Sequence, residues 1–273
     1  MGKKTRDYER DLWSLFWAYS KSSDFGDLRA YLLQRSGLPG PRGNLELATA
    51  FANVLQRGAT AGVLNPRDMI SLCQSLAQIP ASLAPTNDPK EFLVFCGVFG
   101  LGALSFRAED HSIVASSLKS MSADSRWRTR EAVAMALQRM LDVEPKQTLL
   151  LLFKWAKEDD PFLLRAVVAG IAEPRLLDGG MASSALRLHQ GIFEKLAGLN
   201  RKDEGYKVLK KSLGYSFSVV VAALPKEGFA YMVKLAQSQD SDVTSIVREN
   251  LTKKRLSKYS DDIEAVHRAL SFR

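Results

Sequence analysis

Cysteine is scarce in this chain, and the 273 residues include two cysteines, 18 glycines and 10 prolines. Two cysteines, Cys73 and Cys96, cannot form a disulfide framework. Both lie among apolar residues, so we expect buried free thiols in a reducing compartment. The glycine and proline content excludes a fibrous or low-complexity chain.

Long apolar runs are also missing. The mainly apolar, uncharged run from Phe92 to Phe106 has fifteen residues, whereas a membrane span needs roughly 20. Because this run contains Gly97, Gly100 and Gly102, it predicts a buried central helix with close packing at the glycines. No apolar segment typical of a signal peptide follows the charged first ten residues, so we expect a cytoplasmic protein without a membrane span.

Motifs of catalysis, metal binding and cofactor binding are absent. His111, His189 and His267 are far apart, and Glu264 with His267 gives one Glu-x-x-His pair where a di-iron bundle needs two. There is no Gly-x-Ser-x-Gly, and the glycines of 97–102 have the wrong order for a dinucleotide fingerprint. The sequence therefore predicts no catalytic residue, no metal and no cofactor, although the question of enzymatic activity stays open.

What the sequence does contain is a series of helical patterns with caps and short turns. Hydrophobic residues make up 46% and charged residues 25% of the chain, which is typical of a globular protein. Asn44, Asn65 before Pro66, Asp88 and Asp160 before Pro161 are predicted helix caps. After residue 109 the pattern predicts helices near 109–122, 126–141, 145–156, 161–172, 181–198, 203–212, 215–224, 227–237, 241–254 and 261–271. Composition alone favours a strand at 217–223, but its neighbours are helical, so we predict an all-α protein.

Basic residues are concentrated near the C-terminus. The net charge is +8, and residues 201–273 carry 14 basic and 9 acidic side chains. This excess predicts an anionic partner such as nucleic acid or an anionic membrane surface. A pI of about 9 is also common in proteins that bind nothing anionic, and both interpretations stay open.

Four segments share one pattern, which begins with a turn or cap residue and continues with a large residue, an arginine and a small-apolar stretch. They are Asp124–Val133, Asp159–Val168, Leu213–Val221 and Asp240–Leu251. A helix pair that recurs every 30 to 50 residues or so is the signature of an α-solenoid, in which stacked pairs bury a continuous core. The interval of 53 residues between Arg165 and Ser218, the arginine position of the third segment, requires an insertion, placed at 178–183.

The pattern around Trp127 and Phe162, Asp-x-x-Trp/Phe-x-x-Arg-x-Ala/Val, resembles the HEAT-like repeats of the armadillo superfamily. The resemblance covers roughly residues 109–271 and implies a superhelix of stacked helix pairs. The segment from Asp124 to Ala136 is also similar to the HEAT-like DNA alkylation-repair family, which implies that Arg130 lies in a groove and contacts DNA phosphate. That family's Trp-rich segment with its catalytic Asp has no counterpart in 92–106, and its later groove aromatic has none near 169–170.

The repeated arginines have two interpretations. They either pair with aspartates of a neighbouring repeat or contact phosphates, and Trp127 is either a core residue or a base-stacking residue. Trp13, Trp17 and Trp155 are predicted core residues. The nucleic-acid interpretation gives the candidate residues Arg126, Trp127, Arg130, Arg165, Lys210, Lys211, Arg248, Lys253 and Lys254.

The functional hypothesis is a non-enzymatic scaffold that presents a curved surface to a macromolecular partner, preferably a protein. The alternative is a DNA-binding protein with a basic groove, with or without alkylated-base glycosylase activity. For the domain organisation we predict an N-terminal helical part at 1–87 and HEAT-like repeats at 88–273, as one continuous stack. The partner is protein or nucleic acid, and no small-molecule cofactor is expected.

Overall fold

The computed structural model describes residues 3–271, which form fourteen α-helices and three short 3₁₀ turns and contain no strand. The predicted all-α fold class is confirmed. The helices are α1 Lys3–Ser22, α2 Gly26–Gln34, α3 Leu45–Thr60, α4 Pro66–Ala77, α5 Glu91–Ala103, α6 Ala108–Met121, α7 Trp127–Val143, α8 Pro145–Trp155, α9 Pro161–Ile171, α10 Gly179–Lys195, α11 Glu204–Ala223, α12 Pro225–Ala236, α13 Ser241–Leu251 and α14 Ser260–Ser271.

The helix starts are largely those that the cap residues predict. The side chains of Asn44, Asn65 and Asp160 each accept a hydrogen bond from the first turn of the helix that follows. Each bond satisfies a backbone N–H that has no partner inside its helix. The prediction for Asp88 was wrong, because α5 begins at Glu91 and Asp88 accepts instead from the backbone N–H of Lys90, ahead of the helix.

The chain divides into two compact units, residues 1–145 and 146–273. In the first unit, α3, α5 and α7 lie side by side, while α4 and α6 form a second row that packs on them. In the second unit, α9, α11 and α13 lie side by side, α10 and α12 pack on them, and α14 packs on α12. Each unit by itself therefore has the serial stacking of helix pairs that defines an α-solenoid. The division expected at residue 87 falls inside the first unit and stays a prediction.

The centre of the first unit is α5, whose thirteen residues are all buried, as the uncharged run predicts. A Cβ atom on Gly97 would lie 2.7 Å from the backbone oxygen of Cys73 in α4, and one on Gly102 would lie 2.5 Å from that of Ala136 in α7. Real Cβ atoms do not approach backbone this closely, so these glycines let two neighbouring helices touch α5. Cys73 and Cys96 are buried free thiols, as expected.

The middle of the second unit is α11, a single helix where the sequence analysis predicted two, at 203–212 and 215–224. The side chain of Asn250 on α13 forms hydrogen bonds with the backbone of α11. The Asn250 Oδ1 accepts from the N–H of Ser218 at 2.7 Å, and its Nδ2 donates to the oxygen of Leu213 at 2.9 Å. A neighbouring helix thus forms two hydrogen bonds with the backbone of α11 close to Gly214.

The third copy of the predicted repeat was therefore placed wrongly, because Leu213–Val221 lies inside α11 and not at a helix start. The helices that carry the repeat begin at residues 127, 161, 204 and 241. Their spacings of 34, 43 and 37 residues are more even than the sequence analysis predicted. The strand-like stretch at 217–223 is helical, as predicted from its neighbours.

Candidate functional site

The start of α7 in the first unit holds three of the predicted site residues, and they have different environments. Arg126 is 3% exposed. Its guanidinium donates to the carboxylate of Asp124 at 2.8 and 2.6 Å and to the backbone oxygens of Ile79 and Ala84 at 3.0 and 3.2 Å. Burial raises the pKa of Asp124, but the hydrogen bonds from Arg126 outweigh it, so the carboxyl's pKa is lowered. Arg126 therefore holds the loop before α5 in place by donating hydrogen bonds to its backbone.

Arg128 is also buried, and it joins three parts of the first unit. Its NH1 donates to Oε2 of Glu91 at 3.0 Å, and its NH2 donates to the backbone oxygen of Gly40 at 2.7 Å. Glu91 is completely buried, so this is an ion pair inside the protein. The Nε of Arg128 and the Oε1 of Glu91 have no hydrogen-bond partner among the described residues. A buried pair of this kind holds its neighbours in place, since loss of either partner leaves a buried charge.

Trp127 lies between these two buried arginines in sequence, yet its side chain is 48% exposed. The guanidinium carbon of Arg128 is 4.4 Å from the centre of the Trp127 ring, which is within cation–π distance. The core interpretation of Trp127 was wrong, because this side chain at the first position of α7 is half exposed and lines a surface cavity. Trp17 is likewise exposed and Trp13 is half-buried, whereas Trp155 is buried as predicted.

Beside Trp127 lies a cavity of about 280 Å³ within the first unit, which we call the Trp127 groove. Its walls are mainly apolar, and the Phe92 and Phe95 rings in it are parallel with centroids 6.3 Å apart. Helices α5 and α7 and the segment before α3 all contribute to it. The lining residues are Leu38, Arg42, Gly43, Leu45, Phe92, Phe95, Trp127, Arg128, Glu131 and Met135.

A larger cleft of about 730 Å³ lies where α1 ends and α4 begins. Its lining is mostly polar and includes Lys21, Arg67, Asp68 and Arg107. The guanidinium of Arg107 is already bound to Asp110, at 2.6 and 3.0 Å. A polar open cleft gives a ligand little apolar surface to bury, so the Trp127 groove is the better candidate for a binding site.

Two other predicted arginines, Arg130 and Arg165, are engaged within the protein. Arg130 donates through NH1 to the backbone oxygens of Asp124 and Ser125 at 2.6 and 3.1 Å, which places it next to Arg126 at the start of α7. Arg165 is buried in α9 and has interactions of its own. Neither of these two bonds of Arg130 is a pair with an aspartate of a neighbouring repeat, because both acceptors are backbone oxygens of the preceding turn.

In the second unit, Lys210 and Lys211 line a cavity of about 320 Å³ at the contact of α11 with α13. Asp242 is its central acid, and it accepts from Lys210 Nζ at 2.5 Å and from the Tyr206 hydroxyl at 2.7 Å. Arg201 NH1 is 3.4 Å from the same carboxylate. The bonds from Lys210 and Tyr206 lower the pKa of Asp242. Lys211 is exposed at the edge of this cavity.

The last three predicted residues lie on and after α13 and do not line this cavity. Arg248 is exposed on the helix, Lys253 pairs with Glu249 at 3.2 Å, and Lys254 is exposed in the following 3₁₀ turn. The structure thus brings together Arg126, Trp127 and Arg130 at the start of α7, and Lys210 and Lys211 at the contact of α11 with α13. Their assignment to nucleic acid stays a prediction.

No group of three His, Cys, Asp or Glu side chains that could hold a metal is present among residues 3–271. His189 is completely buried on α10, with Nδ1 2.9 Å from the oxygen of Ala185 and Nε2 3.0 Å from the hydroxyl of Ser216. Burial lowers the pKa of His189 to about 4. Over the same residues, the longest apolar helices fall short of what is needed to cross a lipid bilayer.

The sequence analysis missed the aromatic and loop residues that build the groove. Phe92 and Phe95 were assigned to a buried central helix, and no site residue was predicted within 38–43. The partners of Arg128 lie 37 and 88 residues away in sequence, and no local pattern identifies them.

No family model matches this sequence, and no curated protein matches it either. Among solved structures the chain is similar to an engineered protein, at 14% identity and a TM-score of 0.35 over 95% of this chain and 97% of the other. It is also similar to the designed armadillo repeat protein YIII(Dq)4CqI, at 14% identity and a TM-score of 0.33 over 86% and 98% of the two chains.

A third similar structure is the designed armadillo repeat protein YIII(Dq.V1)4CPAF in complex with the peptide (KR)4, at 12% identity, with a TM-score of 0.31 over 88% and 98% of the two chains. TM-scores this low support no inference about this chain. The fold described above therefore rests on the helix contacts of the chain itself.

Proposed function

We propose that this protein is a non-enzymatic helical-repeat scaffold that binds a polypeptide segment, with the Trp127 groove as the place where one side chain of the partner is buried. The observation that carries the proposal is the half-exposed Trp127 beside a mainly apolar cavity of about 280 Å³. A cavity of this size suits one or two side chains better than a drug-sized ligand, whose sites range from about 300 to 1,000 Å³.

The surroundings of Trp127 also suit a binding role. Tryptophan and arginine are the residues most enriched among those that dominate interface energetics, and they act from well-packed pockets. Here the indole is held against the guanidinium of Arg128, which the buried Glu91 and the backbone of Gly40 fix in turn. A fixed ring loses little conformational entropy when a partner covers it, so more of the contact energy remains for binding.

The test begins with short random peptides displayed on phage and selected on the intact wild-type protein. The selected peptides are then titrated against W127A and against W17A, which removes an equally exposed tryptophan outside the groove. We expect W127A to weaken binding by at least about tenfold, since loss of a central aromatic costs about 2 kcal/mol or more. W17A should bind as wild type does. Equal affinities for both variants would contradict the proposal.

Nucleic acid is the second candidate partner, and one observation favours it. Arg201, Lys207, Lys210 and Lys211 line the cavity at the contact of α11 with α13, against the two acids Asp242 and Glu249. Arg126 and Arg165 are buried, so phosphate contacts would have to come from exposed side chains such as Lys211, Arg248 and Lys254. Glycosylase activity on alkylated bases and a cytoplasmic location stay predictions.

The second candidate is tested by measuring the affinity of the protein for duplex DNA at about 50 mM and about 200 mM salt. Phosphate contacts give a steep loss of affinity as the salt concentration rises. K211E should then weaken binding and reduce the salt slope, whereas K226E, an exposed lysine on α12, should not. Absence of binding at both salt concentrations would eliminate the nucleic-acid candidate. Base release from alkylated DNA would test the enzymatic extension.

A further inference from the structure

The polar residues on the rim of the Trp127 groove favour one sign of charge in the partner. Arg42 and Arg128 are the basic lining residues, and Glu131 is the acidic one. Arg128 is neutralised by the buried Glu91, and Glu131 has an interaction of its own. Arg42 is exposed, and among residues 3–271 no acidic side chain pairs with it. Arg42 is therefore an exposed positive charge on this rim that a negatively charged group of a partner can approach.

The start of α7 adds to this positive character. Trp127 is the first residue of α7, and the preceding cap residue, Arg126, gives no side-chain hydrogen bond to the first turn. The first-turn N–H groups of a helix carry the positive end of the helix dipole, which a negatively charged group stabilises. The hydroxyl of Thr129 in the same turn is buried without a hydrogen-bond partner among the described residues. The apolar cavity and this positive region thus lie at the same helix end.

We infer that the Trp127 groove binds a bulky apolar side chain from a polypeptide segment in which the next residue is acidic. This inference rests on the proposed function and names the chemistry of the partner. The apolar side chain is buried against Trp127, Phe92 and Phe95, and the neighbouring carboxylate is stabilised by Arg42 and by the start of α7. A lysine or arginine at that position would meet Arg42 as a like charge.

The test uses four peptides with acetylated and amidated ends, so that the side chain is their only carboxylate. They have a Gly/Ser background and a central Leu-Glu, Leu-Gln, Leu-Lys or Ala-Glu step. Binding is followed by the indole ¹H–¹⁵N resonance of Trp127, which is assigned with W127F. We expect Leu-Glu to bind about twofold to fivefold more tightly than Leu-Gln, as for a solvent-accessible ion pair. Ala-Glu should bind most weakly, and the difference between Glu and Gln should shrink at high salt.

A charge reversal tests the role of Arg42 directly. In R42E the Leu-Lys peptide should bind more tightly than the Leu-Glu peptide, which reverses the wild-type order. R29E is the matched control, because Arg29 is an exposed arginine on α2 outside the groove, and it should keep the wild-type order. Equal binding of the Glu, Gln and Lys peptides would overturn this inference and leave the proposed function standing. Failure of every peptide to shift the Trp127 resonance would overturn both.

Discussion

The guanidinium carbon of Arg128 lies 4.4 Å from the centre of the Trp127 ring, although the first side chain is buried and the second is half exposed. The contact joins the interior of the first unit to its surface. Arg128 takes its position from Glu91 on α5 and from the backbone of Gly40. The orientation of the exposed indole therefore depends on an ion pair inside the protein.

Removal of one member of this ion pair should destabilise the protein strongly. We predict that R128M lowers the free energy of unfolding by about 3–5 kcal/mol, because it leaves the Glu91 carboxylate buried without its counterion. The double variant R128M/E91Q should recover a large part of this loss, since the remaining side chain is uncharged. Urea denaturation of the two variants and of E91Q gives the coupling between the residues. Additive effects would show that the pair contributes nothing as a pair.

Close packing at α5 leads to a prediction at Gly102. A Cβ there would lie 2.5 Å from the backbone oxygen of Ala136, and backbone cannot move aside cheaply. We predict that G102A destabilises the protein by about 1–3 kcal/mol, as overpacking does. The matched control is G191A on α10, where a Cβ meets nothing within 4 Å. That variant should gain about 0.5–1 kcal/mol from helix propensity. Thermal denaturation in which G102A matches or exceeds wild type would contradict the packing argument.

The hydrogen bonds of Asn250 lead to a prediction for the second unit. N250A removes the acceptor for the Ser218 N–H and the donor to the Leu213 oxygen, both buried. We predict a loss of about 2–3 kcal/mol in the free energy of unfolding, because buried polar groups lose their partners. Amide hydrogen exchange should accelerate most in α11 around residue 218. The exposed variant Q237A on the same unit should leave both measurements unchanged, and slow exchange at residue 218 in N250A would rule out this role.

His189 gives the protein a pH dependence with a defined sign. The folded-state pKa is lowered to about 4 by burial, below the usual value near 6.5, so folding favours the neutral ring. The unfolded chain binds the proton more readily, and stability is therefore complete above about pH 6.5 and falls as the pH drops toward 4. At about 1.4 kcal/mol per pKa unit, the loss is on the order of 3 kcal/mol.

The measurement is the free energy of unfolding of wild type and H189Q between pH 7 and pH 4. Glutamine keeps the capacity for hydrogen bonding but does not titrate in this range. We expect H189Q to be less stable than wild type at pH 7 and to have a shallower pH dependence. Parallel curves for the two proteins would mean that other groups cause the acid sensitivity.

Local sequence signals predicted most helix boundaries. They did not predict the helix boundaries and side-chain environments that depend on residues distant in sequence. Asn65 before Pro66 and Asp160 before Pro161 predicted two helix starts, because capping acts within a few residues. The sequence analysis predicted two helices with a break at 213–214, yet Asn250 on another helix forms hydrogen bonds with the backbone there. The same reason applies to the site. Trp127 lies between Arg126 and Arg128, and these arginines are held by residues far away in sequence. Arg126 donates to the backbone oxygen of Ile79, and Arg128 donates to the carboxylate of Glu91.

The central claim is that the Trp127 groove is where the protein binds a polypeptide. The most direct test uses a selected peptide that carries a photo-reactive apolar side chain at its anchor position. The peptide is cross-linked to the wild-type protein, and mass spectrometry identifies the labelled residues. The account predicts adducts on residues that line the groove, such as Leu38, Phe92 and Met135, and their loss when unlabelled peptide competes. Competable adducts confined to residues 146–273, or to the cleft between α1 and α4, would contradict it.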